Sequence, residues 1–150
     1  VMQTDVAEID GKYYYFGTEN DGRMRTGWQK IDNTWAYLGA DGAARTGWQK
    51  IGSYWYYLGE YGEMETDLRN IDGGLYYLGG DGAMRTGWQQ VSGDWYYFNA
   101  SGAAVSGWLQ LGSYWYYFGE DHKMVKNTIK ELDGKKYAFN SDGVMLSGYL

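Results

Sequence analysis

The stretch TGWQQVSGDWYYFNASGAAV, Thr86 to Val105, decides how this chain folds. Trp88 and Trp95 flank a Ser92-Gly93 pair, and Trp95 leads a Tyr-Tyr-Phe run. β-Branched and aromatic residues on both sides of Ser-Gly favour strands. Ser-Gly itself suits a hairpin turn, where positive φ comes at little cost. The segment therefore predicts one short β-hairpin followed by a loop through Gly102.

A lone hairpin is marginal in water, so it must pack on something, and the chain supplies copies. Gly-Trp recurs at Gly27-Trp28, Gly47-Trp48, Gly87-Trp88 and Gly107-Trp108 with a period of 20 residues, and Asp67-Leu68 stands in the same phase. Seven units run end to end, with turn pairs Asp10-Gly11, Asp32-Asn33, Gly52-Ser53, Asp72-Gly73, Ser92-Gly93, Gly112-Ser113 and Asp133-Gly134. Short fixed periods mark stacked repeats that bury a shared core. The expected fold is all-β, a solenoid of seven stacked β-hairpins of roughly 20 residues each, with residues 1–150 as one module. Two extra residues near Thr18-Glu19 and one near Glu131 set the end units apart.

Composition agrees. The chain has 150 residues, with 17 Tyr, 8 Trp and 24 Gly, and neither Pro nor Cys. Without cysteine there is no disulfide framework and no thiolate metal site. No apolar run approaches the roughly 20 residues of a membrane span. The net charge of −6 argues against nucleic acid and for cationic partners. Val1 looks like a cut end, and Met24 lacks a preceding Trp pair, so another repeat is expected before residue 1.

Side chains alternate along a strand. One face carries Phe16, Leu38, Leu58, Leu78, Phe98, Phe118 and Phe139, which with Ile9, Ile31, Ile51, Ile71, Val91, Leu111 and Leu132 reads as the core. The other face varies. Its lead position reads Tyr13, Trp35, Trp55, Leu75, Trp95, Trp115 and Lys136; the Gly-Trp position reads Val6, Trp28, Trp48, Leu68, Trp88, Trp108 and Thr128. Both are Trp or neither is. A core position would not accept Lys, because an unpaired buried charge is costly. The two Trp thus act as a pair that the fold can do without.

A third position follows the pair into the next unit. Trp pairs are followed by Met64, Met84, Met124 and Met145, whereas the junctions without one are followed by Ala44 and Ala104. A site made of two Trp, a Tyr from the next unit and this Met has no acid, base or hydrogen-bond-rich side chain. Such a box attracts a cation through ring quadrupoles, and a quaternary ammonium suits it. Each ring contributes about 0.5–2 kcal/mol, so one site is weak and several on one polymer act by avidity.

The phrases TGWQKIGSYWYYLGEYGEM (46–64) and TGWQQVSGDWYYFNASGAA (86–104) resemble the choline-binding repeats of Gram-positive surface proteins, and the resemblance covers essentially the whole chain. It implies noncovalent anchoring to the cell wall of a secreted, surface-associated protein, through choline or phosphocholine on teichoic or lipoteichoic acid. Carried over, it implies one site of Trp28, Trp35, Tyr57 and Met64, a second of Trp48, Trp55, Tyr77 and Met84, and a third of Trp88, Trp95, Tyr117 and Met124. A fourth has Trp108, Trp115 and Met145, but its Tyr position reads Ala138 and Tyr137 falls on the opposite face. The junction with Leu68 and Leu75 is expected to bind nothing. Some modules of this kind dimerise through terminal repeats, and Tyr149 would offer an aromatic end.

The alternative is a glucan-binding repeat like those of glucosyltransferases and toxins, which unit 7 (Asp133 to Asn140) resembles. Catalysis in this chain is not expected. His122, the single histidine, takes a loop-Gly place, and Asp21, Asp41, Asp81 and Asp142 precede loop glycines, where Asp is a turn former. No cofactor motif or nucleophile–base set is present.

Overall fold

The structure is a computed structural model and describes residues 5–16, 25–31 and 33–147. Thr18, Glu19, Asp21, Met24, Asp32 and Tyr149, and the side chains of Val6 and Phe16, lie outside the described residues.

Among the described residues every regular element is a five-residue strand, and the strands pair two by two. Hairpin 1 joins β1 (Asp5–Ile9) to β2 (Lys12–Phe16), hairpin 2 joins β3 (Gly27–Ile31) to β4 (Thr34–Leu38), and hairpin 3 joins β5 (Gly47–Ile51) to β6 (Tyr54–Leu58). Hairpin 4 is β7 (Asp67–Ile71) with β8 (Gly74–Leu78), and hairpin 5 is β9 (Gly87–Val91) with β10 (Asp94–Phe98). Hairpin 6 is β11 (Gly107–Leu111) with β12 (Tyr114–Phe118), and hairpin 7 is β13 (Thr128–Leu132) with β14 (Lys135–Phe139). The turns follow the dipeptides. Ser92 and Gly93 have φ of 52° and 86°, and Asp72 and Gly73 have 50° and 84°. Two consecutive positive φ values define the turn whose twist matches a hairpin.

Each loop straps its own hairpin to the one before. The Glu65 amide donates to the Tyr57 carbonyl of hairpin 3 at 2.9 Å, while the adjacent Met64 amide donates to the Trp35 carbonyl of hairpin 2 at 2.7 Å. Val125 and Met124 do the same to Tyr117 and Trp95 at 2.9 and 2.8 Å, and Leu146 and Met145 to Ala138 and Trp115 at 2.8 Å each. The straps satisfy edge groups that a bare two-stranded ribbon would leave to water.

The chain divides into two compact units within hairpin 4: residues up to Arg69 with Leu78–Met84, and Asn70–Tyr77 with the residues from Arg85 onward. In each, hairpins stack over the expected Leu/Phe row. The first unit buries Leu38, Leu58 and Leu78 with Ala36, Ala43 and Ala83; the second buries Phe98, Phe118 and Phe139 with Tyr96 and Ala138. The Ile/Val/Leu row is less central than expected. Ile71 is buried, but Ile9 is 50% exposed, and Ile31, Ile51, Val91, Leu111 and Leu132 are half-buried. These residues flank the turn, as in the pair Ile51–Tyr54, beyond the cover of the straps.

Hairpin 7 differs from expectation in register. Thr128 pairs with Phe139 as Gly107 pairs with Phe118, so Ile129, not Thr128, stands where Trp108 stands. The extra residue of this unit therefore precedes β13 rather than lying near Glu131. Asn127 there has φ of 51° and donates its amide to the Asn140 carbonyl at 3.0 Å.

Candidate functional site

Three described junctions between successive hairpins hold an aromatic cavity. In the first unit, Trp28 and Trp35 of hairpin 2 stand edge to face, 6.3 Å apart at 86°. Tyr56 of hairpin 3 closes on Trp28 at 5.0 Å, and Met64 of the strap completes a cavity of about 360 Å³, edged by Gly80 and Asp81. In the second unit, Trp88 and Trp95 stand 6.0 Å apart at 85°, with Tyr116 at 5.0 Å from Trp88. Their cavity of about 340 Å³ is completed by Met124, Ser141 and Asp142. Trp108 and Trp115 repeat the geometry at 6.1 Å and 85°, with Tyr137 at 4.9 Å and Met145 lining about 320 Å³.

The pleat builds each corner. Trp88 lies directly across from Tyr97 and Trp95 from Gln90. The two indoles thus share one face of one hairpin, diagonal to each other and within reach. The strap then places the methionine, because the amide of Met124 is bonded to the carbonyl of Trp95. The pairing of Met with Trp pairs, and of Ala with their absence, has the same basis. The Ala44 amide donates to the Tyr13 carbonyl at 2.7 Å, and the Ala104 amide to the Leu75 carbonyl at 2.8 Å. A loop glycine leaves room beside the methionine: a Cβ on Gly82 would fall on the Met64 thioether, and one on Gly143 on that of Met124.

The tyrosine wall is one residue away from the expected one. Tyr57 and Tyr117 do not face the preceding Trp pair. They sit within their own hairpins, directly opposite Trp48 and Trp108 and in edge contact at 5.2 Å each. Tyr77 stacks on Phe98 at 6.2 Å and 24°. The physical reason is how the hairpins meet. Trp88 packs on the face that carries Phe118, at 5.8 Å, and alternation puts Tyr116 on that face and Tyr117 on the other. The same shift rescues the junction after hairpin 6, because Ala138 is the counterpart of Tyr117 and Tyr137 the counterpart of Tyr116. Trp48 and Trp55 are joined by Met84, whose amide donates to the Trp55 carbonyl at 2.8 Å.

The lead indoles remain accessible; Trp35 is 40% and Trp115 38% exposed. An ammonium already engages one of them, since Lys30 Nζ lies 6.0 Å from the centre of the Trp35 ring. Sequence reasoning missed the rim. Gly80-Asp81 and Ser141-Asp142 come from loops two repeats beyond the Trp pairs they edge, and a recurring Asp-Gly signals only a turn.

Junctions without a Trp pair are built differently. At hairpin 1, Tyr61 packs edge-on against Tyr13 at 5.6 Å. A hydrogen bond to Glu60 raises the Tyr61 pKa above its ordinary 10.0. At hairpin 4, the third-wall residue Tyr96 is only 5% exposed, and burial raises its pKa. His122, at φ of 69°, replaces the loop glycine and lies with Nδ1 3.1 Å from the Val105 carbonyl.

A wider groove of about 900 Å³ runs past Tyr117 and Thr128. Its charges balance, Asp94, Glu120 and Asp121 against Lys123, Lys126 and Lys130, and Lys123 is already paired with Asp94 at 3.3 Å. No indole lines it.

The family profile described as choline-binding repeat matches residues 3–44, 85–128 and 105–149, and a cell wall binding repeat matches 46–64 and 66–84. Among curated proteins no sequence matches. The chain is similar to the structure of CbpJ from Streptococcus pneumoniae TIGR4, with a TM-score of 0.85 and 38% identity over 96% of this chain and 48% of that one. It is similar to choline binding protein F from Streptococcus pneumoniae, solved in the presence of a peptidoglycan analogue, with a TM-score of 0.85 and 34% identity over 97% and 47%. The modular Cpl-1 endolysin, also complexed with a peptidoglycan analogue, matches at a TM-score of 0.57 and 32% identity over 89% and 41%. The chain thus spans about half the length of these structures or less, and the matched repeats are binding modules.

Proposed function

The chain belongs to the choline-binding repeat family, and from that premise we propose that it attaches noncovalently to the bacterial cell wall by caging choline groups between successive hairpins. The observation that carries this reading is a cavity walled by two perpendicular indoles, a phenol and a thioether, repeated after hairpins 2, 5 and 6. Electron-rich faces on three sides suit a trimethylammonium group, which offers only a spread positive charge and methyl surface. We read Trp48, Trp55 and Met84 as part of a further site.

Three rings at about 0.5–2 kcal/mol each give about millimolar affinity for a single choline. Repetition at one 20-residue period supports a polymeric target, where sites act together. A teichoic or lipoteichoic acid decorated with phosphocholine is such a polymer, and a module that holds it works outside the cell, on the cell wall, as part of a secreted protein.

Choline and dextran, titrated separately against tryptophan fluorescence, test the reading. Saturation by choline at millimolar concentration with no response to dextran is expected. Saturation by dextran alone would replace choline with a glucan. A co-crystal with choline should show density beside Trp28, Trp88 and Trp108.

A further inference from the structure

We propose that Asp142 supplies a carboxylate wall to the Trp88–Trp95 cage and strengthens its selection of a cation over an uncharged molecule of the same shape; this rests on the choline reading above. The argument begins with what the loops need. In loops 2, 4 and 6 the acid before the loop Gly position has a structural task. The Oδ1 atoms of Asp41, Asp81 and Asp121 accept the amides of Ala43, Ala83 and Lys123 at 3.0 Å each.

Loops 5 and 7 do that task from another place. Asn99 Oδ1 accepts the amides of Ser101 and Ala103 at 3.0 and 3.1 Å. Asn140 Oδ1 likewise accepts the amides of Asp142 and Val144 at 2.9 Å. With an Asn there, the turn amides need no carboxylate before the loop Gly, and in loop 5 that residue is a neutral serine, Ser101, whose hydroxyl donates to Asn99 Oδ1 at 2.6 Å. Loop 7 nevertheless keeps an acid. Among the described residues the Asp142 carboxylate makes no hydrogen bond or ion pair, and Asp142 lines the cavity with Trp88, Trp95, Tyr116 and Met124. A turn that needs no carboxylate has one, at the edge of a box suited to a cation.

The consequence is selectivity. The ring quadrupoles already favour a trimethylammonium group over an uncharged tert-butyl group, and a carboxylate adds a Coulombic attraction that only the cation feels. The attraction is screened by salt because the rim is exposed.

The test compares choline with its uncharged isostere, 3,3-dimethylbutan-1-ol. Both are titrated into the 150-residue chain and its Asp142→Ser variant, the residue that loop 5 already accommodates, and read at the indole N–H resonances of Trp88 and Trp95. Choline affinity at these resonances should fall about three- to tenfold in low salt, with the isostere unchanged. Trp108 and Trp115, whose cage Asp142 does not line, should respond to choline as before. Equal weakening of both ligands, or of neither, overturns the proposal. A folded parent chain that binds no choline at any indole overturns the choline reading itself.

Discussion

Two junctions of the second unit use the same hairpin plan with opposite results. Beside Trp88 and Trp95, the third wall Tyr116 is half-buried, Met124 reaches in from the strap and a cavity of about 340 Å³ stays open. Beside Leu75, the third wall Tyr96 is buried, Ala104 replaces the methionine and His122 replaces the glycine. The straps are identical in their hydrogen bonds, 2.8 Å from Met124 to Trp95 and 2.8 Å from Ala104 to Leu75. The backbone therefore builds the junction, and side-chain volume decides whether it opens. Beside the indole pair the next tyrosine, Tyr116, stays half-buried, whereas beside the smaller Leu75 the equivalent Tyr96 is buried.

The sharpest way to break this comparison is to remove an indole. Trp95→Ala should weaken choline about tenfold or more at the Trp88 resonance, with the other cages and the fold retained. Next is the choice of tyrosine. Tyr116→Ala should weaken the same cage about three- to tenfold. Tyr117→Ala should spare that cage and cost about 1 kcal/mol of stability through its lost packing on Trp108. Weakening by the second variant and not the first would mean that the register described here is wrong.

A third variant asks whether volume closes the Leu75 junction. Ala104→Met should cost about 1–3 kcal/mol in urea unfolding, as overpacking does. His122→Gly should restore that loss by recreating the Gly–Met contact of the open junctions. Additive effects of the two changes would show that they do not meet.

The smallest effect is a pH dependence in loop 2. The Ala43 amide, and then Arg45, lower the Asp41 pKa below its ordinary 3.8. A depressed carboxylate contributes stability above its unfolded pKa and loses it as pH falls through the folded value. Thermal midpoints measured between about pH 2 and 6 should therefore drop slightly more in the parent chain than in Asp41→Asn, which keeps the turn acceptor without the titration. Because Asp41 is exposed, the difference is expected to be small.

Most of the local structure was legible from the residues. Asp-Gly and Ser-Gly pairs permit the positive φ values that hairpin turns require, and all seven turns fall on them or their relatives, although Asp32 itself lies outside the described residues. Alternation correctly marked Leu38, Leu58, Leu78, Phe98, Phe118 and Phe139 as core. The partnership of Met with the preceding Trp pair was visible because the strap sets the two positions side by side whatever residues they carry, so their side chains vary together. Three things were not legible. They are the tyrosine wall, which is Tyr56 and Tyr116 rather than Tyr57 and Tyr117, the extra residue of unit 7, which precedes β13 rather than lying near Glu131, and the reach of two loop aspartates to a cavity rim.

The sequence by itself determined the period, the hairpins, the paired indoles and the need for a second repeat to finish each cage, because these follow from local backbone chemistry and from the covariation of neighbouring units. Only the tertiary structure decided which tyrosine closes the cage and that Asp81 and Asp142 stand at its rim. Two adjacent tyrosines in a strand must point to opposite faces, but which face meets the preceding hairpin depends on how the strap turns one hairpin against another. A loop two repeats away reaches the cage only through that stacking, so its contribution leaves no local mark in the chain.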